Sequence, residues 1–74
     1  MIYFMRIIEL IINLERQSVL ARCLYNVQDI EHPITFTLKE ADLYSFASDA
    51  GRDSWDNQDV IGLALRQLGV HVTV

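Results

Sequence analysis

"MIYFMRIIELIINLERQSVLARCLYNV", residues 1–27, is the stretch whose reading decides the fold. Two periodicities compete within it. Arg6, Glu9, Asn13 and Arg16 recur at steps of three and four, which is helical spacing. Against this, Ile2, Ile7, Ile8, Ile11 and Ile12 form a β-branched cluster, and Val19, Ala21, Cys23, Tyr25 and Val27 lie on one alternating row. The far end of the chain weighs in. "VHVTV", residues 70–74, alternates Val70, Val72 and Val74 with His71 and Thr73, the pattern of a half-buried strand. A strand needs a ladder partner for its backbone groups, and only the first half of the chain offers enough of one. The reading is therefore a hairpin of residues 2–13 and 18–27. The connecting "LERQ" has neither Gly nor Asn-Gly, so its turn chemistry does not argue for a hairpin.

Beyond residue 27 the pattern changes. The single proline, Pro33 in "DIEHPI", is read as part of a loop that divides the chain. "TFTLKEADLYSFASDAG" then places Thr37 three residues before Glu40, the spacing of a capping box. Leu43, Phe46, Ala47 and Ala50 follow at helical spacing, and Gly51 stands where a left-handed C-terminal cap belongs. Ile61, Ala64, Leu65 and Leu68 repeat the spacing before Gly69. The expected fold is a small two-layer α+β domain covering residues 1–74. Its antiparallel sheet has three or four strands, and two helices pack on one face.

A chain of 74 residues stands near the lower limit for an unassisted core. Such chains usually lean on disulfides, a metal or a second subunit. Cys23 is the lone cysteine, and His32 and His71 are the only histidines, so neither a disulfide nor a four-ligand zinc site is expected. Half of the residues are hydrophobic (51%), more than one small monomer readily buries. A homodimer, the commonest closed assembly, is therefore expected.

The apolar opening run lasts 14 residues and is interrupted by Arg6 and Glu9, whereas a membrane span needs about 20. It also lacks the layout of a secretory signal. Together with a lone thiol, this points to the cytoplasm and to no membrane partner. Charge is uneven. Residues 1–27 hold three arginines and two glutamates, while residues 28–74 hold three basic and eight acidic residues, for a net −4 overall. An acidic surface repels phosphate backbones and attracts basic proteins.

The densest acidic stretch is "SDAGRDSWDNQD", residues 48–59. With Asp56 as N-cap, Asp59 falls at N3, an acidic form of the capping box, and Trp55 and Val60 occupy the staple positions. A calcium loop fits in neither register: the sixth position is Ser54 counting from Asp49 and Gln58 counting from Asp53, where glycine is required. Asp49 and Asp53 are not needed by the cap, and they flank a large aromatic residue. Aromatic anchors ringed by polar groups are typical of interface centres. Asp49, Asp53 and Trp55 are accordingly the candidate partner-binding residues.

Catalytic chemistry is sparse. His32 in its expected loop and His71 on its expected strand have no companion pattern. Cys23 reads as a core residue whose pKa the adjacent Arg22 could lower. No cofactor, metal or catalytic residue is assigned. The expectation is a non-enzymatic acidic interaction module that binds a larger protein with a basic surface. In size and charge it resembles small acidic proteins of phage or other mobile elements, including inhibitors of host nucleic-acid machinery.

One further resemblance supplies the alternative. Residues 34–69, "ITFTLKEADLYSFASDAGRDSWDNQDVIGLALRQLG", are similar to a ribbon-helix-helix unit in their order of strand, capped helix, glycine and second helix. That resemblance implies a dimeric transcriptional regulator, with Thr35, Thr37 and Lys39 facing bases in the major groove. The stretch from Gly51 to Ile61 is longer than that family's inter-helix turn. The region is also acidic where phosphate contacts call for Lys and Arg.

Overall fold

The computed structural model describes residues 4–70. Three strands, β1 (Met5–Asn13), β2 (Ser18–Val27) and β3 (Ile30–Lys39), form an antiparallel meander in the order β1-β2-β3. Two helices follow, α1 (Glu40–Asp49) and α2 (Asn57–Gln67). This is the expected two-layer α+β domain. Residues 5–13 and 18–27 do form a hairpin, pairing Met5 with Tyr25 and Asn13 with Ser18; residues 2 and 3 of the expected first strand lie outside the described residues.

The hairpin closes without glycine by two devices. The Asn13 side-chain oxygen accepts the Arg16 N–H at 3.0 Å, an Asx-type turn. Gln17 takes φ +52°, the left-handed residue that ends many longer hairpin loops.

The third strand comes from an unexpected place. Residues 30–39 are strand throughout, so His32 and Pro33 lie in β3 and not in a loop. The alternation of Ile34, Phe36 and Leu38 with Thr35, Thr37 and Lys39 sends the first set toward the helices. Pro33 is tolerated because β3 is an edge strand with one side free of ladder bonds. The connection from β2 is only Gln28 and Asp29, at φ +51° and +63°. Two central residues at positive φ are what the tight turns matching strand twist require.

Thr37 is therefore not a helix cap. The cap position of α1 is Lys39, whose side chain makes no cap hydrogen bond. Instead the Glu40 N–H reaches back to the Gln17 carbonyl at 2.9 Å, so the first hairpin's turn satisfies the start of the helix. Both glycine stops hold. The Gly51 N–H bonds the Ser48 carbonyl and the Arg52 N–H the Ala47 carbonyl. Gly69 and Val70 repeat that pair of bonds on Arg66 and Leu65, and both glycines have positive φ. These are Schellman motifs. The expected strand 70–74 lies, beyond Val70, outside the described residues.

The core lies between the helices and one sheet face: Met5, Val19, Ala21, Cys23, Phe36 and Leu38 below, Leu43, Val60, Leu63 and Ala64 above. The buried side of α1 is Leu43, Phe46 and Ala47, with Ala50 exposed. On α2 the expected face is turned: Val60, Gly62, Leu63 and Ala64 are buried, Ile61 and Leu65 are half-buried, and Leu68 is exposed. Gly62 sits directly over the Phe46 ring, and Arg66 covers the same ring with its guanidinium 4.8 Å from the centroid. The opposite sheet face is solvated. It carries the ion pairs Arg6–Glu31 (3.0 Å) and Arg22–Glu9 (3.2 Å).

Candidate functional site

The acidic stretch resolves into two groups of carboxylates with different surroundings. Asp56 and Asp59 are structural. The Asp56 carboxylate accepts the N–H groups of Gln58 and Asp59, at 2.9 and 3.3 Å, and the Asp59 carboxylate accepts the Asp56 N–H at 2.8 Å. This is the reciprocal capping box that the spacing predicts. Asp59 is wholly buried, and Arg52 bridges it and Asp56. A buried carboxylate needs such compensation, because leaving it unpaired costs several kcal/mol, of the order of 3–5. For Asp56, burial acts to raise the pKa. The backbone N–H groups of Asp59 and Gln58 and the nearby Arg52 charge outweigh it and hold the carboxyl below its ordinary value.

Asp49 and Asp53 are different. Both are exposed, and neither has an ion-pair or hydrogen-bond partner among the described residues. Asp49 is the last residue of α1, whose final turn contains no basic residue. A negative charge there opposes the helix dipole, at about 0.3–1 kcal/mol. The acidic surface also extends further than the sequence reading had it. Asp42 is exposed on α1 seven residues before Asp49, two helical turns along the same side. That i, i+7 spacing was the signal.

Trp55 does not stand beside these acids as a free anchor. It is half-buried and packs against the core cluster, of which Val60 is a member. The segment between α1 and α2 thus turns Trp55 toward the core, while Asp49 and Asp53 face solvent.

The remaining candidates separate cleanly. Cys23 is buried on the helix side of the sheet, and burial raises its pKa. Arg22 points to the other face and pairs with Glu9, so it does not activate the thiol. Thr35, Thr37 and Lys39 are exposed on β3 opposite Arg22, Leu20 and Ser18. The strand of the ribbon-helix-helix resemblance is therefore one edge of a three-stranded meander. Among the described residues no group of three or more His, Cys, Asp or Glu side chains could hold a metal. Nor is any helix among them long and apolar enough to cross a membrane. No protein-family model, curated protein or solved structure matches this chain.

Proposed function

We propose that this protein is a non-enzymatic acidic interaction module that acts as a homodimer and docks a basic surface of a larger protein. The unpaired, exposed carboxylates of Asp49 and Asp53 carry this reading. Asp49 stands where its charge works against its own helix. A positively charged partner surface would offset that cost, and nothing else in the described chain does. Asp42 extends the surface along α1, and Trp55 supports the loop from beneath. Inhibition of a host protein by a phage or mobile-element product is the biological setting that size and charge suggest. The cytoplasm is its proposed location.

The test uses two baits in a host lysate, the parent and Asp49→Lys with Asp53→Lys. The expected result is a protein held by the parent and lost with the charge-reversed variant, with association slowed most. Equal capture by both baits refutes the site. Titration of heterologous duplex DNA at low salt tests the DNA-binding alternative, which requires binding that weakens steeply with added salt.

A further inference from the structure

Among the described residues β1 and β3 are the two edges of the sheet, and they are built differently. Apart from the exposed Ile30 at its start, the β3 edge is guarded in the ways natural sheets use against association: it holds Pro33 and the exposed Glu31, His32, Thr35, Thr37 and Lys39. The β1 edge lacks a proline and exposes about half of each of Ile8, Ile11 and Ile12, followed by Leu14 at 81%. Its two charges are turned inward over the solvated face, Arg6 to Glu31 and Glu9 to Arg22. We infer that β1 is the dimerisation edge, pairing antiparallel with β1 of a second copy to make a continuous six-stranded sheet.

Charge selects a second copy as the occupant. A chain of net −4 repels its own copy over most of its surface. The β1 strand is internally neutral, with one arginine and one glutamate, so two acidic molecules can approach there without opposition. It offers a basic partner nothing to recognise. Charge also selects the register. With the two-fold axis at Ile11, Leu10 faces the partner's Ile12 on the helix side, Ile11 meets its own copy, and Glu9 meets Asn13. Moving the axis to Ile12 leaves only residues 11–13 of each β1 to pair and carries Glu9 toward the partner's turn, where Glu15 lies. Moving it to Leu10 sets Ile11 against Glu9. Residues 9–13 lie past the bulge at Ile8 and pair regularly with β2, so their outer edge is a regular template.

This inference rests on the homodimer reading and assigns its surface. Sedimentation of the parent should give twice the 8.5 kDa chain mass. Ile11→Lys places like charges face to face at the axis and should raise the dissociation constant by about a hundredfold or more. Because Ile11 is half-exposed, circular dichroism should show the variant folded. Ile11→Cys provides a second readout. Opposed residues in an antiparallel pair are about 4.5–5.5 Å apart at Cα, within disulfide reach. Mild oxidation should therefore give a covalent dimer, while Ile30→Cys at the other edge should give none. A parent that stays monomeric overturns both the dimer reading and this surface. A parent dimer that survives Ile11→Lys, or that cross-links through Ile30→Cys and not Ile11→Cys, overturns the surface alone. The Asp49→Lys, Asp53→Lys variant should dimerise like the parent.

Discussion

Gly62 is the position where local preference and packing disagree most sharply. In the interior of α2, alanine is favoured over glycine by about 1 kcal/mol, so Gly62→Ala would be a stabilising change on propensity alone. The structure reverses the sign. A Cβ on Gly62 would stand 2.5 Å from Cζ and 2.8 Å from Cε1 of Phe46, well inside an ordinary carbon contact of about 3.5–4.0 Å. The ring would have to retreat by about 1 Å. It is 4% exposed, with Arg66 stacked over it, so it has little room. Overpacking of this kind costs typically 1–3 kcal/mol. Set against the propensity gain, the net expectation is a loss of roughly 1 kcal/mol, with a melting temperature lower by about 4–8 °C in a domain of this size. Thermal melts of Gly62→Ala, Phe46→Leu and the double variant form the test. The added methyl should be tolerated better beside leucine, giving a favourable coupling of at least about 0.5 kcal/mol. A Gly62→Ala protein that melts above the parent, or strict additivity in the cycle, would show that the close approach of Phe46 does not govern this position.

Three further outcomes follow from the turns, the cap and the core. Gln28→Asn with Asp29→Gly places residues that tolerate positive φ in the two-residue β2–β3 turn and should stabilise by about 1 kcal/mol; denaturant titration reads it, and no gain would count against that turn. Asp56→Ala should cost about 0.5–2 kcal/mol, whereas Asp56→Asn keeps a capping oxygen without the charge. The folded Asp56 carboxyl lies below its ordinary value, so its contribution is present above the unfolded pKa and is lost as pH falls through the folded one. Acid titration below about pH 4 should accordingly destabilise the parent relative to Asp56→Asn, and parallel curves would refute the assignment. Cys23, buried and with a raised pKa, should resist thiol reagents at neutral pH until the protein unfolds; fast labelling of the native state would show that β2 is open to solvent.

The local features of this fold were written where the chemistry is local. Asp56 and Asp59 are three residues apart because a reciprocal cap joins N-cap to N3, and Gly51 and Gly69 stand where each helix must turn left-handed. Both could be read from spacing alone, as could the alternating row of β2. The failures were also physical. Thr37 and Glu40 have the spacing of a capping box, but Phe36 and Leu38 are buried beneath the helices, and the strand pairing that buries them extends β3 to Lys39. The Gln17 carbonyl supplies a hydrogen-bond partner for Glu40 that no neighbouring residue in sequence could reveal. Pro33 suggested a loop because its missing N–H is costly inside a sheet, and only the topology, which puts β3 at an edge, removes that cost. The same holds for the candidate site. Charge density marked out "SDAGRDSWDNQD", but tertiary structure divided it. Arg52 neutralises Asp56 and Asp59, the core takes much of Trp55, and Asp49 and Asp53 face solvent. Sequence alone settled the reciprocal cap of α2 and the two glycine stops, but neither the start of α1 nor the Asn13–Arg16 turn bond. Arg52 covers Asp56 and Asp59 from four and seven residues away, whereas which strand stands at an edge depends on pairings between distant segments that only packing brings together.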